Sequence, residues 1–335
     1  MRTPFNRSLP LFCGAIYCLQ PNAIAQEAPP IVNGQNESGF DSAVGLGIGT
    51  AERPLPSCTG NLITPRIVLT AAHCGSDIPI DLVVDFGKAF FGTGVDDITY
   101  VSDLSEAFIH PDYTPLDSSN YPKNDAGIVV LAEDAPYTPT LLWSGNLKKI
   151  ELGRDLTSVG WGTDDGSGQG TSGIKRSAEL TLDSRTAQFL ISKSFTNVNQ
   201  ANVCSGDSGG PMFLEEDGVL FQAAIHSWAD AGCVVQSGST RVDVLMPWIL
   251  DNVELVHGTR DLCEINGHYD NDICEEFCDQ PDPDCFDDTG DTADTGWEDE
   301  NAAGACACSA KSARPQFGLG LLSLLFIWRR RRDAR

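Results

Sequence analysis

Ser208 stands in Cys204-Ser205-Gly206-Asp207-Ser208-Gly209-Gly210-Pro211, among three glycines. With no side chains to crowd it, such a loop folds tightly enough to turn one hydroxyl and its neighbouring N–H groups toward a substrate. Acyl transfer needs that combination, because fixed backbone amides, here those of Gly206 and Ser208, stabilise the oxyanion that develops on an attacked carbonyl. A nucleophilic serine also predicts partners elsewhere in the chain. His73 lies upstream in Leu69-Thr70-Ala71-Ala72-His73-Cys74, and Asp125 leads into an apolar run ending at Leu131 that has the composition of a buried strand. A second aspartate, Asp112 in His110-Pro111-Asp112-Tyr113, sits in a proline-containing stretch with the character of an exposed turn.

The strings GDSGGP at 206–211 and TAAHC at 70–74 resemble the nucleophile and histidine segments of the chymotrypsin/trypsin-like serine proteases. The resemblance runs from Ile31 to about His257. It implies a Ser-His-Asp triad in which His73 is the general base, Asp125 orients its imidazole and Ser208 forms the acyl-enzyme, with no metal and no organic cofactor. Asp125-Ala126-Gly127-Ile128 departs from the family's usual Asp-aliphatic-Ala-Leu, and order and spacing along the chain carry the assignment. Ser227 matches the family serine that hydrogen-bonds the catalytic aspartate. Cys58 with Cys74, and Cys204 with Cys233, match two family disulfides, each stabilising by about 2–4 kcal/mol in a chain sent to an oxidising compartment. Ile31-Val32-Asn33-Gly34 resembles the family's new N-terminus after precursor cleavage, whose ammonium turns inward to pair with Asp207. Breaking one partner of such a buried pair costs about 3–5 kcal/mol. Pro30 stands where family precursors often carry Arg or Lys, so the activating protease is a separate, unidentified partner.

The same resemblance places Asn202 at the floor of the specificity pocket and Ser205, His226, Ser227, Trp228 and Ala229 along its wall. Members that cut after Arg or Lys carry aspartate at the floor, so a basic preference is not expected here. In the glutamate-specific branch, a histidine at the His226 position, helped by a serine at the Ser205 position, holds the substrate carboxylate. Histidine can do this because it donates hydrogen bonds and charges near neutral pH. Two specificities stay open: cleavage after Glu, or a small or apolar pocket with His226 packed beside Trp228.

A β scaffold has to position these residues. Short apolar or alternating runs recur at Leu62-Ile63, Ile67–Leu69, Leu82–Val84, Ile98–Val101, Ile128–Leu131, Leu156–Val159, Leu180–Leu182 and Val219–Ile225, separated by Gly, Pro, Asn and Asp clusters. That spacing predicts an all-β barrel or sandwich. The resemblance specifies two antiparallel six-stranded β-barrels with the triad between them, and a closing C-terminal helix over Asp243 to Leu250. The protease domain is therefore expected over 31–256.

The flanking segments bound where the protein works. Its 335 residues are 41% hydrophobic and 21% charged, ordinary for a globular protein, but the net charge is −25. Residues 257–301 hold sixteen acidic side chains and one basic one; residues 302–335 hold seven basic and one acidic. Nucleic acid is not an expected partner, since phosphate binding needs a basic face. Residues 1–25 have the basic start, apolar middle and Ala-x-Ala end of a secretory signal peptide, and 26–30 form a short propeptide. Residues 257–286 form an acidic module with Cys263, Cys274, Cys278 and Cys285, too poor in apolar residues to fold without staples; three pairings are open. Asp270 and Asp272 offer the oxygen ligands that calcium takes, but a plain stapled spacer is the leading expectation. Residues 287–305 form an acidic, self-repelling linker.

In the tail, 306–335, a short apolar stretch from Phe317 to Trp328 precedes Arg329–Arg332. It is short for a stable span. The tail resembles bacterial sorting signals of the MYXO-CTERM type, which implies a surface-displayed or extracellular protein, export and tail-processing machinery as partners, and a tail that is either removed or kept as a membrane anchor. The function expected is a serine endopeptidase acting on protein or peptide substrates. The competing class is a protease-like surface binding or adhesion protein without turnover, against which the complete triad set and intact oxyanion string speak.

Overall fold

The computed structural model describes residues 31–117, 120–145, 147, 150–167, 169–193, 201–269, 278 and 280. The signal and propeptide segments, the acidic linker, the tail, and Asp270, Asp272, Cys274 and Cys285 lie outside the described residues.

After a two-residue strand β1 (Gln35–Asn36), the chain forms β2 (Ala43–Thr50), β3 (Arg53–Leu62), β4 (Ile67–Thr70), a 3₁₀ turn at Ala72–Cys74, helix α1 (Ile80–Phe86), β5 (Lys88–Gly94), β6 (Asp97–Ile109) and β7 (Gly127–Leu131). Strands β2 to β7 close into an antiparallel barrel in the order β2-β3-β4-β7-β6-β5. The apolar runs of β4 and β7 are continuous because both faces are covered. Val68, Val129 and Leu131 meet Val44, Leu62 and Phe91 in one core. Ile67, Leu69, Ile128 and Val130, on the other face of the pleat, form a second core.

What covers that second face is the C-terminal helix. The remaining elements are β8 (Leu141–Leu142), β9 (Asp155–Gly160), β10 (Arg176–Arg185), β11 (Phe189–Lys193), β12 (Pro211–Glu216), β13 (Val219–Ala229), β14 (Gln236–Arg241), α2 (Val242–His257) and α3 (Leu262–Asn266). Strands β9-β10-β11-β14-β13-β12 form a second ring of six, closed where β12 pairs with β9. Leu156, Leu180, Leu182, Leu190, Met212 and Leu214 share its core. Helix α2 leaves β14 of this barrel and lays Val242, Leu245, Ile249 and Val253 on the outer face of the first. Gly258, in the left-handed conformation at φ 78°, ends it by donating its N–H to the Glu254 carbonyl.

The two expected barrels and the C-terminal helix are present. One run differs from expectation: Leu82–Val84 lies in α1, not in a strand. A three-residue apolar run carries no period by which helix and strand could be told apart. The cysteine module is also less free-standing than its composition implies. Asp261 caps α3 by accepting from the Cys263 and Glu264 amides, Asn266 Nδ2 donates to the Ile63 carbonyl, and Leu262 and Ile265 pack against the first barrel's outer core. Cys263 is disulfide-bonded to Cys278, one of the bonds the sequence left open. Among the described residues no helix is long and apolar enough to cross a membrane.

Candidate active site

Antiparallel pairing of β4 with β7 sets Thr70 opposite Gly127. His73, three residues past the end of β4, and Asp125, two before the start of β7, therefore emerge at the same edge. Asp125 is fully buried. Its Oδ1 accepts the His73 backbone N–H at 3.0 Å, and its Oδ2 lies 2.8 Å from His73 Nδ1. The same Oδ2 accepts the Ser227 hydroxyl at 2.6 Å. Ser227 reaches across from the second barrel because the β13–β14 register shifts between His226 and Trp228, leaving it as the extra residue of a bulge. Three donors aimed at one buried carboxylate fix the imidazole and leave its Nε2 edge for chemistry. Asp112 is exposed in a turn, with its carbonyl accepting from Asn124 Nδ2.

The Ser208 loop is pressed onto this edge. The Ser208 carbonyl accepts the Thr59 N–H at 2.8 Å, and the sulfur of Cys74, next to His73, lies 3.6 Å from the same oxygen. Gly209 has φ 83°, and a Cβ there would fall 2.1 Å from Thr70 Oγ1, so the close approach requires glycine. Gly206 also has positive φ, 95°, and its carbonyl accepts the Thr59 hydroxyl. The Cys58–Cys74 and Cys204–Cys233 disulfides are formed and brace both sides.

Asp207, fully buried, accepts N–H groups from Gly162 and Cys204, each at 2.8 Å. Burial pushes its carboxyl up to about 7 despite those two bonds. Ile31 is likewise fully buried, the Val32 carbonyl accepts the Asn202 N–H, and Val32 packs on Cys204 and Cys233. The segment that opens at Ile31 is thus docked beside Asn202 and Cys204, just before the Ser208 loop.

The cavity next to Ser208 is lined by Val203, Ser205, His226, Ser227, Trp228 and Ala229 among others. Asn202 is not among the lining residues: its backbone is bridged to Val32, and its Nδ2 is buried without a partner. His226 is 1% exposed. Its Nδ1 is 3.0 Å from Ser239 Oγ, while its Nε2 has no partner. Burial drives its pKa down to about 3, so the imidazole is neutral, not charged near neutral pH as expected. Two contributors escaped the sequence. Ser239 is one of many serines, and Tyr121, whose ring stacks on Trp228 at 4.3 Å, comes from a loop with no distinguishing motif.

The family model described as Trypsin matches residues 31–249. Melanization protease 1 of Drosophila melanogaster is 30% identical over 237 residues, covering 58% of this chain and 58% of its own. Chymase of Mus musculus is 30% identical over 223 residues, covering 61% of this chain and 82% of its own. Venom serine protease 34 of Apis mellifera is 24% identical over 234 residues, covering 66% of this chain and 58% of its own. The chain thus spans little more than half of two of these three relatives.

Proposed function

The chain belongs to the trypsin family, and from that premise we propose that it is an exported serine endopeptidase that hydrolyses protein or peptide substrates. One observation carries the proposal: His73 Nδ1 sits 2.8 Å from a buried Asp125, on the edge against which the Ser208 loop is packed. His73 takes the proton of Ser208 as its Oγ attacks the scissile carbonyl, Asp125 stabilises the imidazolium, and the proton passes to the departing amine. The Gly206 and Ser208 amides receive the oxyanion, and water then releases the acyl group from Ser208. Cleavage before Ile31 by another protease frees an ammonium that pairs with Asp207 and completes the oxyanion loop. The signal segment, acidic stalk and tail suit a protein displayed at the envelope or released from it.

For the residue before the scissile bond, His226 favours Glu over a small or apolar side chain. Its Nδ1 lies 3.0 Å from the Ser239 hydroxyl, and in the tautomer where that hydroxyl donates, the ring proton sits on the buried Nε2 as a donor for a substrate carboxylate. A pocket serving only apolar side chains would leave that donor unsatisfied.

The test is a cleavage-site profile on a mixed peptide library, using protein with Ile31 freed and a Ser208→Ala control. Cuts after Glu that vanish in the control are expected. Cuts after alanine or leucine would overturn the specificity, and no cuts at all would move the assignment to a surface binding protein.

A further inference from the structure

Arg176, at the start of β10, is 1% exposed, and no step of the mechanism above uses it. Its Nη1 donates to the Gly162 carbonyl at 2.9 Å and lies 3.3 Å from that of Thr171; Nη2 donates to Thr171 Oγ1 at 3.1 Å. Asp164 Oδ2 is 3.7 Å away, and Nε has no partner. A cation held this way, mostly by neutral carbonyls, costs far more to bury than an apolar side chain of its size. Packing alone therefore does not explain it.

What it faces does. Gly162 is gripped at both ends: its carbonyl by Arg176, its N–H by Asp207 Oδ1 at 2.8 Å. A Cβ on Gly162 would lie 2.6 Å from that same oxygen, so the residue between the two charges is as thin as a residue can be. Asp164 and Asp207 are the carboxylates whose field reaches Arg176, and Arg176 is the charged group among the described residues whose field reaches Asp207. The ammonium of Ile31 joins them once freed.

We propose that Arg176 is a positioning residue of the oxyanion loop, a permanent buried cation that acts through Gly162 to favour the ionised Asp207 carboxylate, alongside the freed Ile31 ammonium, and to hold the Gly206 and Ser208 amides in place. The inference rests on the endopeptidase proposal above. Ionised, Asp207 has acceptors for both the Gly162 and Cys204 amides; protonated, one of its oxygens becomes a donor and a bond to the loop is lost. Removing the cation raises the carboxyl further, so the loop loosens at a higher pH.

The test compares kcat and KM against pH for the wild type, Arg176→Gln and Arg176→Lys, all with Ile31 freed and with sites counted by a phosphonate at pH 9. In Arg176→Gln the limb of kcat that tracks Asp207, told apart from the His73 limb by the carbon-13 titration below, is expected to move up by about one pH unit, with kcat on that limb down about tenfold and KM little changed; Arg176→Lys restores the limb. A second variant guards against misfolding: Asp164→Asn removes an opposing charge from Arg176 and should move the limb downward. A uniform loss of kcat with an unmoved limb, or equal damage in Gln and Lys, would overturn the proposal. Carbon-13 NMR of the Asp207 carboxyl follows its titration without turnover. An inactive wild type would therefore sink the endopeptidase proposal, whereas identical Asp207 titration in wild type and Arg176→Gln would sink this one.

Discussion

His226 has two ring nitrogens with different neighbours, and a pH signature follows. Burial holds the free imidazole down to about 3, so it is neutral at working pH. A glutamate carboxylate bound beside it favours the charged form and raises that value in the complex, so glutamate binding takes up a proton as pH falls. The preference for Glu over Gln is therefore expected to grow between pH 8 and pH 5, before the substrate carboxyl itself protonates near about 4.3. The ratio of kcat/KM for matched peptides measures this; a ratio flat with pH, or unaffected in His226→Ala, would remove His226 from recognition. Ser227→Ala takes away one charge-assisted bond to Asp125, a loss of about 1.5–3 kcal/mol, and should lower kcat at least about tenfold with KM nearly unchanged. At this scale the Ser208, His73 and Asp125 strings were readable because tight glycine geometry and a buried strand leave marks in sequence. The partner of His226 was not, since Ser239 meets it only through cross-strand register.

Strands β4 and β7 show why a whole element can be legible while its neighbour is not. Both are apolar at nearly every position because barrel interior and helix α2 cover opposite faces, and such runs announce themselves. Helix α1 fully buries none of its residues and only Val83 packs against the barrel core, so packing left little mark on its composition. Energetic consequences follow the same division. Ile249→Ala, on the covering helix, should cost about 2–5 kcal/mol in chemical denaturation. Leu82→Ala, on the exposed helix, should stay within about 0.5 kcal/mol. In β9, Gly160→Ala would drive a methyl to 2.0 Å from Asp207 Oδ1. That variant should fold yet lose turnover, with phosphonate labelling reporting the lost oxyanion loop.

The pH dependence of the whole molecule's stability should differ before and after cleavage at Ile31. Asp207 has a folded value of about 7 against an ordinary 3.8, so between those values the folded chain binds the extra proton. Stability of the uncleaved protein therefore falls as pH rises through that window, the reverse of the usual carboxylate. Freeing the Ile31 ammonium gives the carboxylate a partner and should flatten the slope, visible as converging melting temperatures at pH 5 and pH 8. At this scale the family resemblance implied two barrels and a helix, but the sequence did not say which barrel the helix would cover, because that depends on how the finished pieces meet.

The crossing of α2 also orders events in time. Because the chain is made from its N-terminus, the first barrel is synthesised before residues 242–253, so Ile67, Leu69, Ile128 and Val130 emerge with nothing to cover them. His73 and Asp125 of the proposed triad belong to that unfinished half, and the last apolar surface to be sealed is the one behind them. The proposed proteolytic competence is thereby tied to completion of the chain: an interrupted or truncated copy is an unfinished fold before it can cut anything.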